Sequence, residues 1–159
     1  FQPVRCSRRR LDGMKRRGAL LALVLALIGA AAGAADEAGA ARGRALFRGE
    51  AALSARIVGQ DFILPAQASR CVNCHGAATR TAAASSIADA PGAPALTAAG
   101  LTTPARRRGG PPSRYDAAAL CTLLRSGADP AHVLIFRTMP RYDVSDADCR
   151  ALWLHLLTR

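Results

Sequence analysis

Five residues, Cys71-Val72-Asn73-Cys74-His75, constrain this chain more than any other stretch of it. Thiols at i and i+3 lie on the same side of a helical turn, so both can engage one object together. The imidazole that follows at once then projects beside that object. A thioredoxin-like redox pair of this spacing belongs in a βαβ pattern, and none surrounds it. A zinc site needs further ligands, and the chain holds neither a second C-x-x-C nor an H-x₃₋₅-H. An ordinary disulfide and the attachment of a c-type haem remain, and the cell compartment weighs between them.

The compartment is written upstream. Met14 precedes Lys15-Arg16-Arg17, and residues 18–35, GALLALVLALIGAAAGAA, carry no charge. A basic start, an apolar stretch and a small-residue end make a secretory signal. Ala32-Gly33-Ala34 fits the A-x-A cleavage pattern, and a cut after Ala35 fits as well. A retained anchor is the alternative, because the uncharged run reaches the edge of membrane-spanning length. The Gly/Ala-rich end favours cleavage, and with no Cys there a lipid anchor is not expected. Residues 1–13 read as translated upstream sequence, with Met14 as the start. The expected organisation is therefore an upstream segment 1–13, a signal 14–35 and one exported domain, 36–159, in the periplasm.

Setting residues 1–35 aside changes the charge. The whole chain has 22 basic and 11 acidic residues, a net +11. Seven of the basic residues and one acidic residue fall in 1–35, which leaves +5 for the exported part. Most of the case for a nucleic-acid partner leaves with the signal, and none is expected. In an exported chain, C-x-x-C-H is the attachment signature of haem c. Cys71 and Cys74 would each form a thioether to one edge of the porphyrin, and His75 would ligate the iron from the proximal side. One haem is expected, because there is one motif. It would also supply apolar bulk to a small chain that is only 4% aromatic.

A sixth ligand is then needed. Met139 is the only methionine of the exported part, in Thr138-Met139-Pro140-Arg141-Tyr142, 64 residues after His75. A single methionine is ordinarily core filler. This one precedes a proline and a well-marked terminal helix. C-x-x-C-H with a downstream M-P-x-Y-x-x-S-D-x-D run resembles the class I c-type cytochromes over roughly residues 71–159. The resemblance implies a small all-α domain around one covalent haem, with His75 and Met139 as axial ligands. It implies one-electron transfer between redox partner proteins, not enzymatic catalysis. Pro94-Ala95-Leu96 with Gly100-Leu101 resembles that family's P-x-L-x-G stretch, which implies that the Pro94 carbonyl accepts the ring N–H of His75. Pro91 and Pro104 are competing candidates.

The helices can be read without the resemblance. Ser145 caps a terminal helix whose first turn holds Asp146 and Asp148. Cys149, Leu152, Trp153, Leu156 and Leu157 form its apolar stripe. Asp116 caps another, with Ala117, Leu120, Cys121 and Leu124 on its stripe and Gly127 stopping it. A third covers about 37–48, where Gly43-Arg44-Ala45-Leu46-Phe47 resembles the family's first helix, crossed closely at the glycine by the last one. Cys121 and Cys149 are the thiols left over. In an oxidising compartment an even remainder suggests a bridge; two separate buried thiols are the alternative.

Three stretches depart from that pattern or stay open. Residues 49–65, including Ile57, Val58, Phe62, Ile63 and Leu64, form an insertion before the haem motif with some extended character. Residues 76–112 read as loop. Within them Arg106-Arg107-Arg108, with Arg114, make a basic cluster: a solvated loop, or a docking surface for an acidic redox partner. His155 falls in the terminal helix as a structural or exposed residue. His132 could displace Met139 as ligand. The expected function is a periplasmic monohaem electron carrier; the alternative is a haem protein whose labile Met139 lets the iron bind a small ligand or peroxide.

Overall fold

A computed structural model describes residues 33–76 and 93–159. The upstream segment, nearly all of the export segment and residues 77–92 lie outside the described residues, together with the cleavage and anchor readings that depend on them. Among the described residues no helix is long and apolar enough to cross a membrane. Phe1–Glu37 and Ala38–Arg159 form two units, and the account below concerns the second.

Helix α1 spans residues 33–48 and ends at Gly49, whose φ of +75° closes it. Strand β1 follows at Ser54–Arg56, α2 at Cys71–His75, α3 at Ala98–Thr102, and a hairpin β2 (Ala105–Arg106) and β3 (Pro112–Ser113). The chain closes with α4 (Ala117–Ser126), β4 (Arg141–Asp143) and α5 (Asp146–Leu157). Caps set the ends of the two long C-terminal helices. Asp116 accepts from the Ala119 amide at 2.8 Å, and Gly127, at φ +80°, terminates α4. Ser145 accepts from Asp148 N–H at 3.1 Å, and Asp146 and Asp148 lie at the positive end of the α5 dipole.

The expectation of an all-α domain is corrected here. The fold mixes helices with two small antiparallel ribbons. β1 pairs with β4, and β2 with β3. The stretch 76–112, expected as loop, holds α3 and, within its described part, all of the second ribbon except Ser113. The insertion does hold a strand, β1, but at Ser54–Arg56, before the residues Ile57–Leu64 on which extended character was expected; Leu64 N–H returns to the Ala55 carbonyl at 2.8 Å. Strands of two or three residues show no alternation from which periodicity could find them.

The core lies between α1, α4 and α5. Leu46 and Phe47 of α1, Leu120, Cys121, Leu123 and Leu124 of α4, and Cys149, Leu152 and Leu156 of α5 share one buried cluster. Leu157, expected on the inward stripe, is 38% exposed, and Ala151 takes a buried position instead. The crossing of α1 and α5 is close: a Cβ at Gly43 would overlap the Ala151 carbonyl and press on His155. Arg42 and Asp148 pair across the same crossing at 2.9 Å.

Gly43→Ala is expected to destabilise by about 1–3 kcal/mol, because a backbone carbonyl cannot move aside and overpacking exceeds the gain in helix propensity. Gly39→Ala is the comparison, since its Cβ would meet only the end of the Leu154 side chain. Thermal unfolding should show the larger loss at Gly43. Equal midpoints would refute the close crossing.

His155 packs edge-on against Phe47, ring centroids 5.4 Å apart. Burial holds its pKa below the usual histidine value, helped by repulsion from Arg159, Arg44 and Arg48. The unfolded chain therefore takes up this proton at higher pH than the folded one. That contribution is complete above about pH 6.5 and is lost as pH falls through the lower folded value. His155→Gln should flatten this part of the stability–pH profile; an unchanged slope would rule out His155 as its source.

Candidate functional site

The C-x-x-C-H pentapeptide is helix α2 itself. Its backbone is closed by Asn73 N–H to Arg70 O at 3.2 Å and Gly76 N–H to Val72 O at 2.9 Å. Asn73 Nδ2 donates to Gln67 O at 2.7 Å, which ties the turn to the segment before it. Cys71 is half-buried and Cys74 exposed, and no disulfide joins them. The ordinary disulfide weighed for this pair is thus not formed. Burial pushes the Cys71 thiol up to about 11, partly opposed by its interaction with the neighbouring Tyr142 hydroxyl.

His75 is half-buried. Its Nδ1 lies 2.9 Å from the carbonyl of Pro94. A carbonyl can only accept, so Nδ1 carries the proton and the lone pair resides on Nε2. Burial lowers the His75 pKa, the Pro94 bond raises it, and Arg159 lowers it again. The imidazole is accordingly held neutral, the form that ligates metals. A depression of about 250 Å³ beside it is lined by His75, Ala95, Leu96, Thr97 and Arg159.

Met139 is half-buried and packs against the core from a separate segment. Its N–H reaches the Phe136 carbonyl at 3.2 Å, so it closes a turn whose other residues are exposed. His132 is exposed in a left-handed conformation, φ +60°, at the tip of a turn in which buried Asp129 accepts from Ala131 and Val133 N–H. The basic cluster divides. Arg107 turns inward, donating to the carbonyls of Gly100 (2.7 Å) and Ser113, with its guanidinium over Tyr115. Arg108 lies 3.8 Å over the Phe136 ring, and Arg106 and Arg114 are exposed.

These residues fit a covalent haem in their donor chemistry. Two thiols and a neutral imidazole with Nε2 open share one turn. Leu64, Val72, Leu96, Ile135 and Met139 are each half-buried against the core, and Phe62, Ile63, Leu134 and Phe136 are large apolar residues left exposed. Among the described residues no three His, Cys, Asp or Glu side chains converge as a bare metal ion requires. Sequence reasoning assigned no role to Tyr142, whose buried hydroxyl donates to the Ser69 carbonyl at 2.9 Å, or to Arg141, which donates to the Met139 carbonyl. Tyr142 stands inside the M-P-x-Y run, yet its partner is 73 positions away. Comparison with family models, with curated proteins and with solved structures finds no match to this chain.

Proposed function

We propose that this chain is an exported electron carrier that holds one haem c by thioethers from Cys71 and Cys74, with His75 and Met139 as axial ligands. The observation that carries the reading is the His75–Pro94 contact: it places the ring proton on Nδ1 and leaves Nε2 as the ligating nitrogen, on the same turn as two thiols. When bound, the haem supplies a one-electron couple at its iron. The protein supplies the rest. Pro94 fixes the tautomer of His75, restrains its ring and raises its basicity. Met139 offers a neutral, soft thioether, which favours the ferrous form and a higher potential than a second histidine would give. Donor and acceptor are proteins of the same compartment, and the exposed Arg106, Arg108 and Arg114 suit an acidic docking surface. No nucleic acid and no substrate chemistry enter this reading.

Met139→Ala tests the ligand set. The haem should stay attached while the reduction potential falls and the ferric protein becomes high-spin, binding added imidazole at once. An unchanged low-spin spectrum in the variant would reassign the ligand, with His132 the first candidate. A ferric wild-type protein that is already high-spin would favour a haem that binds small ligands over an electron carrier.

A further inference from the structure

Strand β4 connects the two halves of the proposed site. It begins two residues after Met139 and pairs with β1 in the register Ser54↔Asp143, Ala55↔Tyr142 and Arg56↔Arg141. Successive residues of a strand point to opposite faces. Tyr142 points inward, is buried, and donates to the carbonyl of Ser69, two residues before Cys71. Arg141 turns back on its own strand. Its guanidinium donates to the Met139 carbonyl at 2.5 Å and lies on Gly127, where any Cβ would overlap it. A cation at this position also faces the negative end of the α4 dipole. The Met139 turn is otherwise thinly held, since Phe136, Arg137 and Thr138 are exposed. The insertion acquires a role in this arrangement, because it contributes the strand that β4 pairs with.

We infer that Tyr142 and Arg141 are positioning residues that tie Met139 to the attachment turn and so keep external ligands from displacing it. The inference rests on the reading of Met139 as an axial ligand. Tyr142, the middle residue of β4, fixes the strand against the segment that leads into Cys71. Arg141 fixes the Met139 backbone against the end of α4. Together they hold the ligand segment from both sides, so opening it requires breaking both bonds.

The test uses the ferric holo-protein and imidazole as the probe. Tyr142→Phe removes only the hydroxyl, and Arg141→Gln removes the guanidinium. Each should bind imidazole about fivefold faster than wild type, the effect of one lost hydrogen bond on an opening equilibrium. Arg141→Lys should recover part of the difference. Arg42→Gln breaks the ion pair at the α1–α5 crossing and should leave the imidazole rate unchanged even if it lowers the unfolding midpoint. Rates in Tyr142→Phe and Arg141→Gln equal to wild type, or raised equally in Arg42→Gln, would overturn the positioning role and leave the ligand assignment standing. If Met139→Ala itself leaves imidazole binding unchanged, Met139 is not the ligand and both readings fall.

Discussion

Cys71→Ala and Cys74→Ala should each lose most of the haem that survives denaturing electrophoresis, and the double variant should lose all of it. A thioether is a covalent bond, so boiling in detergent removes haem held only by His75 and Met139; the single variants lose haem because attachment itself fails when either thiol is missing, and the fraction they retain is held by the remaining sulfur. The two positions are not equivalent. Cys74 is exposed on α2 and reachable during attachment, whereas Cys71 is half-buried, with its thiol pushed up to about 11. A thiol is reactive as its thiolate, so attachment of Cys71 should precede its burial in the folded chain. Haem colour retained in the double variant would show attachment elsewhere.

Loss of the Cys121–Cys149 bridge should have the largest effect on stability. The bond joins α4 to α5 with Cα atoms 5.3 Å apart, within the bridging range, and both residues are buried. This decides between the two readings of the leftover thiols in favour of the disulfide. The closed loop has a sequence separation of 28 and contains Met139 and β4. Constraining a loop of that length in the unfolded chain stabilises by on the order of 3 kcal/mol in the chain-entropy model. Cys121→Ala with Cys149→Ala should therefore lower the unfolding midpoint by on the order of 10 °C. Arg125 spans the same seam, to Asp146 at 2.7 Å and to the Val144 carbonyl. Its exposed ion pair is worth little beside the bridge. Thiol titration of the unfolded, unreduced wild type should find neither Cys121 nor Cys149 reactive, and an unchanged midpoint in the double variant would contradict the account.

What could be read from sequence was local. Asp116, Gly127 and Ser145 announce their helix ends because caps act within four residues. That Cys71–His75 make one helical turn was legible for the same reason, since the spacing fits in five residues. The close crossing at Gly43 was expected only through the resemblance of residues 43–47 to a family's first helix; the approach of Ala151 is what makes it visible. The ribbons were not legible. Ser54 pairs with Asp143, and three-residue strands become visible only when both partners are known. Leu157 was expected inward from spacing alone, but the stripe of α5 rotates toward Ala151, where α1 makes its closest approach. Tyr142 and Arg141 were missed because their roles lie in partners, Ser69 and Gly127, that no pattern places beside them. Pro94 was found only through a family resemblance, among several prolines of one loop.

The central claim is that this chain carries a covalent haem on Cys71 and Cys74. The intact mass of the exported protein, produced with a c-type haem attachment system, tests it most directly. The expected result is a polypeptide heavier by one haem, with the added mass on the peptide that contains residues 71–75. A mass equal to that of the polypeptide alone, with Cys71 and Cys74 both open to alkylation, would contradict it.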